Sequence, residues 1–398
     1  MTRSARSIGA VAVAALVAAA AVAWSVGAPA DASGPTWVVT LGDSAISGEA
    51  GRWAGNTNDG SWRHDTGADA YFDDPSGGGE TIPGCHRSAS AEALIGGGVR
   101  SLNLACSGAR TSTRTGDDFK PGLDWYDGPA GSSQVVQLQE FAADHDVDAV
   151  AVLIGANDFG FADIVQRCVT NWLTSPWWWK NYCHDDRSIR NRFTADAVED
   201  RTDEIADALS NVAQAMSNAG YAGDDYTVIV QTYWSPLPRG ADIRYPERGW
   251  IRQTVGGCGL WNRDADWAND TAVVKMNQAL TDGAARSDLE HYVVLDMSQS
   301  LDGHRLCERD VGLLEEVGLS TWTDPGAAER TEWVSPIRTV TTIFGPYRLQ
   351  EGMHASYWGQ LAMRNCLRQA YDDGDVRGGT CVGSGGVNAL GEPGMRLD

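Results

Sequence analysis

The apolar positions along the chain fall into short continuous runs and longer amphipathic segments. Short runs rich in β-branched residues are typical of strands that lie inside a parallel sheet. Five such strands are predicted, at 38–42, 102–105, 148–154, 226–232 and 291–296. Helical patterning predicts helices at 88–95, 133–143, 195–218, 271–285 and 357–371. Strands that alternate with helices predict an α/β fold in which helices cover both faces of a parallel sheet.

The first predicted strand ends at Gly42-Asp43-Ser44. Glycine lets the backbone turn sharply, and a serine just past that turn projects its hydroxyl at the carboxyl end of the sheet, where open α/β sheets bind their ligands. All three residue types also favour ordinary turns, so the motif by itself does not establish a nucleophile. Ser44 is therefore a candidate that needs partners elsewhere in the chain.

Three further residues follow predicted strands or precede the last predicted helix: Gly108, Asn157 and His354. His354 can act as the base that removes the proton from the Ser44 hydroxyl. The backbone N–H groups of Ser44 and Gly108 and the carboxamide of Asn157 can donate to an oxyanion. Singly, each residue has a structural explanation, as a turn glycine, an Asx turn or a surface histidine. Together, at one edge of the sheet, they favour a serine hydrolase.

The order of these residues resembles that of the SGNH (GDSL-type) hydrolases. Four blocks carry the resemblance: Gly42-Asp43-Ser44, Gly108, Gly155-Ala156-Asn157-Asp158 and His354. Three longer stretches resemble the secreted actinobacterial lipase and esterase branch, at 83–88, 303–307 and 357–361. The resemblance implies a flavodoxin-like three-layer sandwich with a central five-stranded parallel sheet, a serine esterase mechanism and no metal or other cofactor. The Gly-x-Ser-x-Gly pentapeptide of another esterase fold does not occur in the sequence.

Two departures from the family pattern leave details open. The family usually has an aspartate three residues before the histidine, whereas this chain has Glu351. We expect Glu351 to orient His354, with a backbone carbonyl as the alternative. Long loop insertions at 52–84, 160–195 and 310–348 leave the substrate open, and the first of them is predicted to be a surface loop.

The first 30 residues have the features of a secretory signal peptide. Arginines precede an apolar stretch at 8–23, and Ala28-Pro29-Ala30 supplies small residues for cleavage. The stretch is shorter than the ~20 residues that span a bilayer, so we expect a protein that is exported rather than anchored. The remainder, 31–398, is predicted to be a single domain and a monomer, with a loosely ordered tail at 382–398.

Charge and cysteine content narrow the function further. The net charge of −22 disfavours nucleic acid as a partner, because phosphate binding needs clustered Lys and Arg. Eight cysteines without a Cys-x-x-Cys pair indicate disulfides rather than a metal site in an exported chain. Eight cysteines allow 105 pairings, and pairing of neighbours along the chain is our working prediction. The pairs are then Cys85–Cys106, Cys168–Cys183, Cys258–Cys307 and Cys366–Cys381, of which the resemblance supports the first and third.

The pattern of residues therefore favours a secreted hydrolase of carboxylic esters that acts on a lipid or on an acylated small molecule or glycan. A carbohydrate O-deacetylase on the same scaffold is one alternative, since fold does not decide the substrate. A non-catalytic glycan- or lipid-binding protein is another, because the chain contains 16 tryptophans. We expect Trp177-Trp178-Trp179 either to flank the acyl-binding cleft and contact a lipid surface or to cover a satellite core.

Overall fold

A seven-stranded sheet forms the centre of the protein. The computed structural model describes residues 36–55, 67–319, 321–337 and 348–398, and the predicted signal peptide at 1–30 lies outside these ranges. The described residues belong to one compact unit. Their strands are β1 (Trp37–Gly42), β2 (Arg100–Asn103), β3 (Asp127–Gly128), β4 (Gly131–Ser132), β5 (Val147–Leu153), β6 (Thr227–Gln231), β7 (Tyr292–Asp296), β8 (Gly379–Val387) and β9 (Pro393–Leu397).

The five predicted strands form most of the parallel part of this sheet. The strands are arranged in the order β2-β1-β5-β6-β7-β8-β9, and neighbours from β2 to β8 run parallel. β3 and β4 form a separate hairpin, so the first five strands of the sheet follow the flavodoxin-like order 2-1-3-4-5. The α/β prediction is confirmed. Ligands bind beyond the carboxyl ends of the strands where such an order reverses, and Ser44 follows β1 at this point.

The sheet has seven strands rather than the predicted five, because the tail at 382–398 is not loosely ordered. β8 extends the sheet beyond β7, and β9 pairs with β8 in antiparallel fashion. The tail is anchored because Met395 is buried and Glu392 forms an ion pair with Arg368. Glycine is disfavoured in strands, so the glycine-rich tail lacked the usual sequence signal for a hairpin.

Helices flank the sheet. The α-helices of the described residues are α1 (Ser44–Ser47), α2 (Gln134–Ala142), α3 (Phe161–Thr174), α4 (Arg187–Arg190), α5 (Ala195–Asn218), α6 (Ile251–Thr254), α7 (Asn262–Trp267), α8 (Val273–Arg286), α9 (Pro325–Ala328), α10 (Arg348–Glu351) and α11 (Tyr357–Tyr371). α2 packs beside α5, which packs beside α8, and α11 packs against β8 and β9. Four of the five predicted helices are thereby confirmed, as α2, α5, α8 and α11.

The predicted helix at 88–95 does not form. Its polar groups bond to distant parts of the chain instead, because Ser90 Oγ donates to the carbonyl of Gly51 at 2.6 Å and the Glu92 N–H donates to Gln360 Oε1 at 3.0 Å. Serine hydroxyls compete with helical hydrogen bonds in this way. The segment is therefore a series of turns that joins the chain after α1 to α11.

The four predicted disulfides are confirmed. They are Cys85–Cys106, Cys168–Cys183, Cys258–Cys307 and Cys366–Cys381. Each closes a loop and restricts the unfolded chain, which stabilises the fold by about 2–4 kcal/mol per bridge in the chain-entropy account. Disulfides persist in oxidising compartments, so these four fit an exported protein. Within the described ranges, no helix combines the length and apolar character that a membrane span requires.

Candidate active site

Ser44 is held in a tight turn between β1 and α1. Gly42 has a φ of +142°, and a Cβ there would lie 2.0 Å from the carbonyl oxygen of Leu153, so only glycine allows β1 to end this close to β5. Asp43 then caps α1, since its carboxylate accepts a hydrogen bond from the N–H of Ala45 at 3.0 Å. This turn leaves Ser44 as the first residue of α1, at the carboxyl end of the sheet.

Two buried side chains brace this turn. Gln134, at the start of α2, accepts from the N–H of Gly42 at 2.7 Å and donates to its carbonyl at 2.9 Å. Tyr233, which follows β6, donates to the Asp43 carboxylate at 2.5 Å and accepts from the N–H of Ala156 at 3.0 Å. Burial raises the pKa of Asp43 to about 7, although the hydrogen bonds that its carboxylate accepts from Tyr233 and from the Ala45 N–H favour the charged form. Neither Gln134 nor Tyr233 lies in a recognisable motif, so no sequence signal marked them.

The other two predicted oxyanion donors lie in turns after β2 and β5, the strands on either side of β1. The N–H of Cys106 donates to the end of β1 at 3.0 Å, which carries the following Gly108 alongside the nucleophile turn. Asn157 Nδ2 donates to the carbonyl of Ala109 at 2.9 Å, so its carboxamide joins the two turns. Among the described residues, the N–H groups of Ser44 and Gly108 donate to no protein group, and both are available to an oxyanion.

His354 contacts the serine directly. Its Nε2 lies 2.6 Å from Ser44 Oγ, within reach for proton transfer. The segment around it is fixed by Ser335, whose carbonyl accepts from the Met353 N–H and whose N–H donates to the His354 carbonyl, both at 2.8 Å. Met353 has a φ of +71°, a strained conformation for a residue with a side chain and one that concentrates at functional sites. The backbone therefore holds the histidine against the serine.

The acid–base properties of His354 follow from its surroundings. Burial lowers its pKa below the ordinary histidine value. The charge of Glu49 has the largest opposing effect, followed by the backbone carbonyl of Gly352. Nδ1 of the histidine is buried and makes no hydrogen bond of good geometry with any described residue. The sequence left open whether Glu351 or a backbone carbonyl orients the histidine. Of these two, the Gly352 carbonyl raises the pKa of His354 more than the Glu351 carboxylate does.

Glu351 does not orient His354, contrary to the expectation from the sequence. Its buried carboxylate accepts from Arg52 Nε at 2.6 Å, from Arg52 Nη2 at 3.1 Å and from Trp53 Nε1 at 2.6 Å, and it is also bonded to the Tyr71 hydroxyl. Four donors satisfy both carboxylate oxygens. In the described structure the carboxylate makes no hydrogen bond to the histidine, and only the backbone carbonyl of Glu351 accepts from the His354 N–H, at 3.2 Å.

Arg52, Trp53, Tyr71 and Glu351 form a buried cluster that we call the clasp. Arg52 and Trp53 lie a few residues beyond the serine, whereas Glu351 lies three residues before the histidine. The clasp therefore joins the segment that carries Ser44 to the segment that carries His354. The prediction that 52–84 is a surface loop is wrong for these residues, because hydrogen bonding to Glu351 draws them inside.

A second buried pair lies beside the clasp. Glu49 Oε2 is 2.7 Å from His86 Nδ1, and the His86 ring stacks on Tyr71 with centroids 4.5 Å apart. Burial disfavours both charges, but the pairing prevails and lowers the pKa of Glu49 while it raises the pKa of His86. A charged carboxylate is thus retained inside the protein near His354. Neither residue was a sequence candidate, since a lone Glu and a lone His carry no spacing signal.

A small cavity opens beside Ser44. Its volume is about 40 Å³. Besides the site residues already described, its walls are mainly apolar and include Phe161, Trp234, Pro236, Val273, Met276 and Met353. A larger depression of about 430 Å³ lies along α3, but it is lined mainly by charged and polar residues and by none of the candidate catalytic residues. The smaller cavity is therefore the one that can hold part of a substrate at the serine.

Trp177, Trp178 and Trp179 are not part of this cavity wall. Their exposed fractions are 47%, 71% and 77%, so they do not cover a satellite core. They follow α3, which begins at Phe161 in the cavity wall and whose 14 residues extend over roughly 21 Å. The tryptophans therefore lie away from the serine, and their contact with a lipid surface stays a prediction.

One group of described residues lies close enough together to surround a metal ion, namely Cys168, Cys183 and Asp264. The two cysteines are joined in a disulfide, which removes the thiolates that would bind a metal. The Asp264 carboxylate lies 2.6 Å from His184 Nδ1 and accepts two backbone N–H groups. These residues do not fit a metal ion.

Comparison with known proteins finds similar solved structures. No protein-family model and no curated protein matches the chain. An extracellular lipase from Streptomyces rimosus is 20% identical with a TM-score of 0.46, over 84% of this chain and 99% of that one. Phospholipase A1 from Streptomyces albidoflavus is 19% identical with a TM-score of 0.45, over the same shares of 84% and 99%. A carbohydrate acetylesterase from Sinorhizobium meliloti is 14% identical with a TM-score of 0.32, over 85% and 99%.

These three similar proteins are enzymes that hydrolyse ester bonds, the class that the resemblance to the SGNH hydrolases led us to expect. The identities are at most 20% and the TM-scores at most 0.46, so the likeness decides neither substrate nor mechanism. The function of this chain has to be argued from the geometry around Ser44.

Proposed function

We propose that the protein is a secreted hydrolase of carboxylic esters that works through an acyl-enzyme on Ser44. The observation that supports this most is the 2.6 Å contact between Ser44 Oγ and His354 Nε2, at the point of the sheet where ligands bind. A serine within reach of a histidine, beside backbone N–H groups that can bind an oxyanion, suits acyl transfer. The disulfides and the signal-like start of the sequence support export.

In the proposed reaction, His354 removes the proton from Ser44 Oγ as this oxygen attacks the carbonyl carbon of the ester. The carbonyl oxygen becomes an oxyanion and accepts hydrogen bonds from the N–H groups of Ser44 and Gly108 and from the Asn157 carboxamide. His354 then gives the proton to the departing alcohol, and Ser44 is left acylated. A water molecule deprotonated by His354 hydrolyses this acyl-enzyme and releases the acid.

A fluorophosphonate probe is expected to label Ser44, because the neighbouring histidine activates the hydroxyl. Mass-spectrometric mapping should place the label on Ser44, and both Ser44→Ala and His354→Ala should abolish labelling. Ser217→Ala, on the exposed side of α5, is the matched control and should be labelled like the wild type. A label on another residue would contradict the proposal. No label at all, with retained binding of glycan or lipid, would favour the non-catalytic alternative.

The pH profile of kcat/KM is expected to have an acidic limb below pH ~6.5, the ordinary pKa of histidine. Burial lowers the pKa of His354, and only the neutral imidazole can accept the serine proton. Activity should therefore persist at neutral pH and fall as the pH drops through this lowered pKa. The negative charge of Glu49 raises that pKa, so Glu49→Gln should move the limb to still lower pH. Initial rates on an uncharged acetate ester would measure both profiles.

Asp43 provides the control for this profile, because its pKa of about 7 lies close to the same range. Asp43→Asn removes the ionisation and keeps an oxygen that can cap α1. The acidic limb should remain in this variant. A limb that disappears in Asp43→Asn, or that Glu49→Gln moves upward, would mean that His354 is not the group observed.

A further inference from the structure

The small cavity beside Ser44 bears on which esters the site accepts. We propose that this cavity is the acyl subsite and that it takes acetyl or propionyl groups, while the alcohol half of the ester remains outside it. This inference rests on the proposed ester hydrolysis, and it names the substrate class: short-chain acyl esters rather than long-chain lipids.

The size of the cavity sets the length of the acyl group. Its volume is about 40 Å³, whereas an apolar cavity of ~150 Å³ holds the six carbons of benzene. On that scale the cavity accommodates about one or two carbon atoms beyond the carbonyl carbon, which has to lie at Ser44 Oγ. An acetyl or propionyl group satisfies this limit. Most of a fatty acyl chain would extend beyond this volume, through the open side of the cavity, and would not be buried by its walls.

The chemistry of the walls decides which half of the ester enters. Phe161, Trp234, Val273 and Met276 present hydrocarbon and aromatic surface, which stabilises an apolar group that leaves water. The Tyr233 hydroxyl in the wall is already engaged, since it donates to Asp43 and accepts a backbone N–H. Against the apolar part of the wall, a sugar or glycerol hydroxyl would lose its water without gaining a new partner. The acyl group therefore enters, and a polar alcohol stays in solvent.

Two residues of α8 line the cavity. Val273 and Met276 lie at the start of the helix, and both are buried and part of the wall. Val274 lies between them on the same helix, but its side chain is 52% exposed and is not part of the wall. Shortening Met276 should therefore lengthen the cavity, whereas the same change at Val274 should leave it unaltered. This pair gives a matched test of the subsite.

The test compares kcat/KM of the full protein for p-nitrophenyl acetate, butyrate and octanoate. We expect acetate to be preferred over octanoate by at least about tenfold, because even one methylene that does not fit a pocket costs about 10–200-fold. Met276→Ala should raise the octanoate-to-acetate ratio by about tenfold or more on the same scale. Val274→Ala should leave the ratio at the wild-type value. If Met276→Ala does not fold, Val273→Ala removes fewer atoms and should shift the ratio in the same direction.

The outcomes separate this inference from the function on which it rests. A ratio that favours octanoate, or that Met276→Ala and Val273→Ala leave unchanged, would overturn the acyl subsite while fluorophosphonate labelling of Ser44 still upholds the esterase. Absence of labelling together with absence of turnover on all three esters would overturn the proposed function itself. Preference for acetate with the expected shift would support both and would favour an acetyl esterase over a long-chain lipase.

Discussion

Ser44→Ala and His354→Ala are each expected to lower kcat for ester hydrolysis by about 10⁴–10⁶-fold, as removal of the corresponding residue does in serine proteases. The reason is the 2.6 Å contact between Ser44 Oγ and His354 Nε2, since neither the nucleophile nor its base works without the other. The double variant should therefore be little worse than either single one. Steady-state kinetics on acetate and butyrate esters, with protein checked for native structure, would measure the three losses.

The control for this experiment is Ser217→Ala, which removes a hydroxyl from the exposed side of α5 and should retain wild-type kcat. Activity of Ser44→Ala within tenfold of the wild type would identify a different nucleophile. Additive losses in the double variant would show that the two residues act separately, against the mechanism proposed.

Glu351→Gln is expected to lower the free energy of unfolding by about 3–5 kcal/mol, the usual effect of removing one partner of a buried ion pair. The amide retains one oxygen acceptor but loses the charge that binds Arg52, Trp53 and Tyr71. Because the clasp joins the serine segment to the histidine segment, kcat should also fall, by roughly 10²-fold if the two segments shift by about 1 Å. Denaturant unfolding and steady-state kinetics on the same preparation would give both values.

Two further variants test whether Glu351 acts as part of the clasp or as the acid of a catalytic triad. Tyr71→Phe and Arg52→Lys each remove hydrogen bonds to Glu351 without touching the carboxylate, so both should lower stability and kcat in the same direction as Glu351→Gln. A carboxylate that oriented the histidine would behave otherwise: its loss would cost kcat up to about 10⁴-fold, and these two changes would leave kcat unaffected. Asp203→Asn, in an exposed ion pair with Arg286, is the control and should alter neither quantity measurably.

The closeness of Ser44, Gly108 and Asn157 could be predicted from sequence because their positions depend on simple rules. Parallel strands bring their carboxyl ends to one edge, so residues that follow β1, β2 and β5 had to meet there. The candidate donors Gly108 and Asn157 do lie in the turns beside Ser44. The order of the strands could not be read from the sequence, because it depends on pairing between distant segments. The structure shows that β1 lies between β2 and β5.

The role of Glu351 could not be predicted because spacing along a chain does not fix the direction of a side chain. Its carboxylate turns towards Arg52, which lies 299 positions away in the sequence. Buried donors of Arg52, Trp53 and Tyr71 satisfy that carboxylate, so it makes no hydrogen bond to the histidine ring. The tail at 382–398 was missed for a different reason, since its glycine-rich sequence carries little strand signal and acquires β-structure through the pairing of β8 with β9.

The hairpin of β8 and β9 makes the native sheet depend on residues 379–397, which are synthesised after the other strands of the described residues. Until they emerge, β7 presents an unpaired edge, and open strand edges promote association between chains. Cys366 also has no native partner until Cys381 is available, so early oxidation would join it to a non-native cysteine. Folding that runs ahead of this hairpin would therefore leave an open sheet edge and an unpaired thiol in the same part of the protein.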